Sequence, residues 1–256
     1  MAKRIIIPAR YGSTRLPAKL LIPIAGKSIL QHTYERALEC GFDSVLIATD
    51  DERIAALAEG INAPYCMTDI EHTTGTDRCA EAMALKGYAD DDIIINLQGD
   101  EPLIPVANVL EVALNLEAHP EVEVATLCEE LIEKGDIFNP NYVKVVFNQE
   151  NHALYFSRAP IPWARDAFPG EMSEELFFYR HIGLYAYRGR FLRAYPKLHQ
   201  NPLERLEKLE QLRVLWHGYK IHVDIAPENN PPGVDTASSL QEVKLLIERG
   251  ISFKRS

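Results

Sequence analysis

Arg10, Arg15 and Lys19 fall within ten residues of one another, with Gly12, Ser13 and Thr14 between them. Arginine can grip two phosphate oxygens at once, and lysine acts as a compact point charge. A glycine–hydroxyl stretch leaves backbone N–H groups free to face an anion. Together these residues describe a cradle for a polyphosphate. The patterns G-x-x-x-x-G-K-[ST] and G-x-G-x-x-G are both absent, so the loop is neither a P-loop nor a dinucleotide fingerprint. A solvated basic loop is the plainer alternative. Against it stands the background: 27 basic and 37 acidic residues give a formal net charge of −10. Cations clustered against an acidic field form a local device, and the same field argues against a nucleic-acid partner.

Two carboxylates could hold a cation beside that loop. Asp100 follows the run IIINL in a Gly-turn, and Asp235 sits in GVDT. Magnesium favours one or two carboxylates completed by water and phosphate oxygens. Asp235 is equally placed to cap a following helix. The turn Thr74-Gly75-Thr76-Asp77-Arg78 has a similar double reading. It is either a helix cap, with Thr76 or Asp77 capping and Arg78 exposed, or a binding turn. Asp90-Asp91-Asp92 precedes a strand rather than ending one, unlike the metal motif of a glycosyltransferase. Eight histidines include no H-E-x-x-H, and no G-x-S-x-G is present, so a hydrolytic site has no support.

The elements that must position these residues alternate. Strand patterns at 4–9, 44–49, 64–67 and 93–97 are separated by helical patterns at 27–40, about 51–59 and 76–86, followed by a helix at 105–118 and strands at 122–127 and 142–147. The short β-branched runs have no polar face, the signature of strands covered on both sides in a parallel sheet. In such sheets ligands sit beyond the carboxyl ends of the strands, which is where the 10–19 loop and Asp100 fall. From 152 the texture turns aromatic and strand-like in ALYFSRAPIPW and FFYRHIGLYAYR. A helix is expected over 203–217 with a buried stripe of Leu206, Leu209, Leu212 and Leu215, then a strand at 219–225 and a helix at 236–249. The stripe leaves Glu210 and Gln211 at a rim or in solvent. The expected fold is α/β: a mostly parallel central sheet flanked by helices, in one domain spanning 1–256, with a small antiparallel, aromatic-rich insertion over about 152–225.

PARYGSTRLPAK resembles the nucleotide-binding signature of sugar nucleotidyltransferases, specifically the 3-deoxy-manno-octulosonate (Kdo) cytidylyltransferases, whose usual form is PARxxSxRxPxKPL. Ala18 stands where glycine is common and Leu20 where proline is common. HTTGTDR resembles the family's HxSGTDR element, with Thr74 in place of serine. NLQGDEPLI and PGVDT resemble two further signatures, and YFSRAPIPW, HIGLYAYR and EKLEQLR complete an ordered series over nearly the whole chain. The resemblance implies a Rossmann-like nucleotide-diphospho-sugar transferase fold and a reaction of CTP with Kdo giving CMP-Kdo and pyrophosphate, for lipopolysaccharide biosynthesis. It implies that Lys19, Asp100, Arg10 and Arg15 serve catalysis, and that Asp100 and Asp235 bind Mg²⁺. Pro8, Ala9, Arg10, Ser13 and residues 74–78 (Thr74, Gly75, Thr76, Asp77 and Arg78) would take the nucleotide. Gln98, Arg158, His181, Tyr185, Glu210 and Gln211 would take the sugar, with Arg158 and His181 in a region where a cation suits the Kdo carboxylate.

Alternatives are a cytidylyltransferase for another sugar acid, of the 8-amino-Kdo or sialic acid type, and a CTP-binding protein without turnover. A panel of sugar acids separates the first and pyrophosphate release the second. Four scattered cysteines without a C-x-x-C pair, no signal-like start and no apolar run long enough for a membrane imply a cytoplasmic protein with no membrane partner. A homodimer is expected from the resemblance, with its interface in the insertion, where apolar residues of 203–225 suit a two-fold contact.

Overall fold

The computed structural model describes residues 1–12, 15–131, 133–168 and 177–250. Ser13 lies outside them. The chain opens with β1 (Lys3–Ala9), a two-residue hairpin of β2 (Pro23–Ile24) and β3 (Lys27–Ser28), and α1 (Ile29–Glu39). Then come β4 (Ser44–Thr49), α2 (Glu52–Gly60), β5 (Tyr65–Met67), α3 (Gly75–Leu85), β6 (Ile93–Asn96) and α4 (Val106–Ala118). β7 (Val124–Glu130), the single turn α5 (Lys134–Ile137), β8 (Lys144–Phe147), β9 (Ala153–Ser157) and β10 (Tyr179–Arg188) follow. The chain ends on α6 (Gly189–Ala194), α7 (Pro202–Glu207), α8 (Gln211–Trp216), β11 (Ile221–Ile225) and α9 (Ala237–Arg249).

One sheet runs in the order β11-β7-β10-β6-β1-β4-β5, with β8 and β9 joined through β10. β6, β1, β4 and β5 are mutually parallel, as are β11 and β7. Successive isoleucines explain this placement. Ile5 and Ile7 enter the apolar layer on one face and Ile6 the layer on the other, and Ile93, Ile95 and Ile94 divide in the same way. A strand apolar on both faces is stable only with helices over both. The local caps agree. Ser28 accepts from the N–H of Gln31 at 3.1 Å to start α1, and Gly41 turns the chain out of it in a left-handed conformation.

β10 is inserted into the sheet as well as into the chain. It lies antiparallel between β6 and β7, with Tyr185 opposite Asn96 and Arg188 opposite Ile93. Because it runs backwards, its first half extends past the carboxyl end of β6, the edge where the ligand loops lie. A bulge between Ile182 and Tyr185 bends that half. Buried Thr126 on β7 seals the bulge: its Oγ1 is 3.1 Å from the carbonyl of Ile182 and 2.8 Å from that of Leu184.

The continuous helix expected over 203–217 is instead two short helices. Lys208 breaks them in a left-handed conformation, φ 55° and ψ 46°. The cause is a buried clamp: Arg213 reaches Glu204 bidentately, Nε to Oε2 at 3.0 Å and Nη2 to Oε1 at 2.6 Å. In an unbroken helix nine residues would separate their Cα atoms by about 13 Å along the axis. The chain folds back to close the pair. Leu209 and Leu212 are buried as expected, whereas Leu206 is 80% exposed and no part of an inner stripe.

Thr126→Val keeps the shape of the side chain but leaves the bulge carbonyls without their donor. It should cost about 1–3 kcal/mol, read as a lower urea midpoint at unchanged m-value. An unchanged midpoint would show that the hydroxyl does not hold the bulge.

Candidate functional site

Asp100 and Asp235 meet at one cation. Lys19 lies on a single 3-10 turn after the opening loop, and its Nζ forms a short ion pair with Asp100 Oδ2 and a 2.8 Å hydrogen bond to Asp235 Oδ1. The second oxygen of Asp235 pairs with Arg15 at 3.1 Å. Two turns distant in sequence are pinned together here, because the N–H of Val234 donates to the carbonyl of Asp100 at 2.9 Å. Gly233 is required at that crossing: a Cβ there would fall 2.6 Å from Glu101 Oε1. The capping alternative for Asp235 is resolved by its neighbour. Thr236 caps α9 in a reciprocal box with Ser239, which frees the Asp235 carboxylate to face Lys19.

Burial would lower the Lys19 ammonium, yet the charges and hydrogen bonds of Asp100 and Asp235 outweigh it and hold the group charged. Burial would likewise raise Asp235, but Lys19 and Arg15 keep its carboxyl below the usual range. Glu101, desolvated beneath the pair and repelled by Asp100 and Asp235, is pushed up to about 8. Two carboxylates already sharing one cation form a hard oxygen donor set. That set fits a divalent ion completed by phosphate oxygens and water.

A pocket of about 130 Å³ is lined by Pro8, Arg10, Thr74, Gly75, Arg78 and Gln98 among others. Gly75 is needed for its shape, since a Cβ would lie 3.0 Å from Gln98 Nε2 and 3.4 Å from Pro8 Cγ. Thr74, not Thr76 or Asp77, is the helix cap, accepting from the N–H of Asp77 at 3.1 Å. Arg78 is buried rather than exposed: its guanidinium pairs with Asp50 at 2.6 Å and with the hydroxyl of Thr68. Ala9, Thr76 and Asp77 stand behind the pocket. Ala9 is core, Thr76 bonds the Tyr187 hydroxyl at 3.1 Å, and Asp77 accepts from Thr74 at 2.8 Å.

A larger cavity of about 550 Å³ joins it through Thr73, Thr74, Gly75 and Gln98, which line both. Gln98, Arg158, His181, Tyr185, Glu210 and Gln211, named separately from the sequence, all face this cavity, and Asp235 borders it. Glu210 stands half-buried on the cavity wall rather than in solvent: its Oε2 is sealed, and burial raises its carboxyl above the ordinary value. Helical spacing missed this because the helix breaks just before it. Gln200, Glu204 and Lys208 also line the cavity and had not been singled out. Lys208 lies inside the EKLEQLR block, but periodicity alone gave no signal for it.

A model of the cytidylyltransferase family matches residues 4–221. A 3-deoxy-manno-octulosonate cytidylyltransferase of Nitrosococcus oceani is 50% identical over 251 residues, covering 96% of this chain and 97% of that one. The chain belongs to the Kdo cytidylyltransferase family. Its Coxiella burnetii relative of the same name is 50% identical over 246 residues, covering 95% of this chain and 99% of the relative. The solved structure of a CMP:2-keto-3-deoxy-manno-octonic acid synthetase complexed with CTP superposes with a TM-score of 0.89 at 41% identity, covering 98% of this chain and all of that one. A Leptospira borgpetersenii cytidylyltransferase, at 19% identity and a TM-score of 0.63, shares the fold. As a member of this family the chain is a nucleotidyltransferase.

His181 lies in the region where the resemblance implies that a cation suits the sugar carboxylate. Carbonyl oxygens only accept, so the Thr126 hydroxyl spends its proton on Ile182 or Leu184. The 2.9 Å contact to His181 Nε2 must then run from the ring N–H to Oγ1. Burial, reinforced by Arg180, lowers the ring to about 3. His181 is therefore a neutral imidazole at working pH, and the expectation of a cation there is corrected.

With a folded value near 3 against about 6.5 unfolded, His181 contributes stability that is complete above pH 6.5 and is lost as pH falls toward 3. His181→Asn cannot charge, so its urea midpoint should fall less steeply than the parent's between pH 6.5 and 4. Parallel profiles would show that the ring is not held neutral.

Proposed function

We propose that this chain transfers CMP from CTP to the anomeric hydroxyl of Kdo, giving CMP-Kdo and pyrophosphate, and so supplies an activated sugar acid for lipopolysaccharide assembly. The observation that carries the reading is that two cavities, one of about 130 Å³ and one of about 550 Å³, share Thr73, Thr74, Gly75 and Gln98, with Asp235 of the Lys19–Asp100–Asp235 cluster bordering the larger. The sequence relatives are named for this substrate, and the similar structure was solved with CTP.

In this reading the smaller pocket takes the cytidine end along Pro8, Arg10 and the 74–78 turn, with Ala9, Thr76 and Asp77 supporting it from behind. Ser13 belongs to the same loop by its position in the motif. The larger cavity takes the sugar acid against Gln98, Arg158, His181, Tyr185, Glu210 and Gln211. The anomeric oxygen forms its bond to the α-phosphorus as the bond to the bridging oxygen of pyrophosphate breaks. Such a transfer needs alignment and charge neutralisation more than covalent help. Arg10, Arg15 and Lys19 offset the charge of the triphosphate and then of the departing pyrophosphate. Asp100 and Asp235 would hold Mg²⁺, which supplies Lewis-acid charge stabilisation at the phosphates.

The segment over about 152–225 would serve twice within a single domain. Part of it lines the sugar cavity, and it also carries exposed Leu154, Leu206, Trp216 and Ile225, apolar side chains that suit a two-fold contact with a second copy. All four cysteines are free and buried, which fits a reducing cytoplasm. No helix among the described residues is long and apolar enough to cross a membrane.

Incubation with CTP, Kdo and Mg²⁺ should yield CMP-Kdo by mass spectrometry, and EDTA should stop it. Asp100→Ala should abolish product while keeping its circular dichroism, and Lys19→Ala should lose about 100-fold or more in rate. Turnover by the aspartate variant would remove that residue from the active site, and no product from the parent would end the proposal.

A further inference from the structure

The turn between β4 and α2 braces both walls of the smaller pocket. β1 and β4 are adjacent and parallel, with Ala9 opposite Thr49, so residues 10–11 and 50–53 leave the sheet side by side at its ligand edge. On one wall Asp50 holds the buried guanidinium of Arg78 at 2.6 Å. On the other, Arg10 lines the pocket, and among the described residues its guanidinium makes no ion pair or hydrogen bond. The position of Arg10 therefore depends on the residues either side of it. Ala9 is fixed in the core. Tyr11 is the other anchor. It is half-buried against the same core cluster and covered by Arg53, whose guanidinium carbon stands 3.2 Å from the ring centroid.

Arg53 is held in place for this contact. Asp51 takes it bidentately, Oδ1 accepting from Nε at 2.9 Å and Oδ2 from Nη2 at 2.6 Å. The same carboxylate caps α2 by accepting from the Arg53 N–H at 2.9 Å, and the Asp51 N–H donates to Thr49 Oγ1 at 3.3 Å. A continuous series of contacts thus runs from the end of β4 through Asp51 and Arg53 to Tyr11. Local propensity does not account for the arginine. It is the second residue of α2, and a cation at a helix N-terminus opposes the macrodipole. An exposed ion pair with Asp51 contributes little by itself. What the guanidinium gains is a planar stack on the ring, which arginine forms and lysine cannot. A residue that breaks a local rule while filling a specific contact marks a place where position matters.

We propose that Arg53 is a positioning residue for the nucleotide: by clamping Tyr11 it fixes the loop that carries Arg10 before the nucleotide arrives. Arg53 lines neither cavity and acts through Tyr11 alone. The proposal rests on the functional reading above.

The test uses the full chain with Mg²⁺ and reads CTP affinity by calorimetry alongside pyrophosphate release with CTP and Kdo. Arg53→Met should weaken CTP binding by about 3- to 10-fold and raise its KM alongside, while the KM for Kdo stays within about twofold. Its Tm should stay within about 2 °C of the parent, since the residue is exposed at a helix start. Tyr11→Leu should show the same loss, Tyr11→Phe should bind CTP as the parent does, and Arg53→Lys should fall between the parent and Arg53→Met. Combining Arg53→Met with Tyr11→Leu should be no worse than either alone, because both remove one contact. Unchanged CTP affinity in Arg53→Met would overturn the inference. So would full additivity in the double variant, which would mean that Arg53 attracts the nucleotide directly by its charge. A fall in Tm that matches the loss of affinity would overturn it too, marking a merely structural arginine. A parent that binds CTP but turns over no Kdo would overturn the functional reading and leave the clamp to be judged on affinity; one that does not bind CTP would overturn both.

Discussion

The cluster of Asp100, Asp235 and Lys19 governs the arrangement of everything around it. Two carboxylates that approach one point repel each other, and in a partly desolvated cleft that repulsion is weakly screened. They can be held together only if a cation sits between them and the backbone gives neither turn room to retreat. Lys19 supplies the first condition and the Val234–Asp100 backbone bond the second, with Gly233 pressed against Glu101 to permit the close approach. Arg15 takes the remaining oxygen of Asp235. The result is a nearly neutral site in an acidic protein, ready for further negative charge only if cationic charge accompanies it.

That cluster lies where it does because parallel strands end together. β1 delivers the basic loop and β6 delivers Asp100 at one sheet edge. β10 complicates the pattern productively. Running against β6 and β7, it brings its first half to the same edge, and the bulge sealed by Thr126 sets His181 and Tyr185 on the cavity wall. Behind them Tyr185, Tyr187 and Phe191 stack in series, so the wall is backed by rigid aromatic packing. The wall of the larger cavity is thus built in part from a strand pointing the other way, and that of the smaller pocket from loops on parallel strands.

Much of this was legible from residues alone. The isoleucine runs, the Gly-turns after them and the hydroxyl-bearing caps are local signals with local causes, and they placed the sheet, its ligand edge and the two aspartates. The departures at Ala18 and Lys208 share one feature. Both are non-glycine residues held at positive φ, so composition gives no warning of them. Ala18 stands where glycine is common in the resembling signature, and the left-handed turn there shows why.

What the sequence by itself determined was the sheet and the edge along which the candidate groups gather, because strand pattern and turn composition act over a few residues. Only the tertiary structure decided how those groups are charged and which of them are free. The Glu204–Arg213 clamp broke a well-patterned helix, sealing one oxygen of Glu210 and leaving Lys208 on the cavity wall. The Thr126 hydroxyl fixed the tautomer of His181, and Asp50 drew Arg78 into the interior. Two of these contacts join segments far apart in the chain and the third folds nine residues back on themselves; in all three desolvation and pairing outweigh local propensity, and no periodicity along the sequence encodes them.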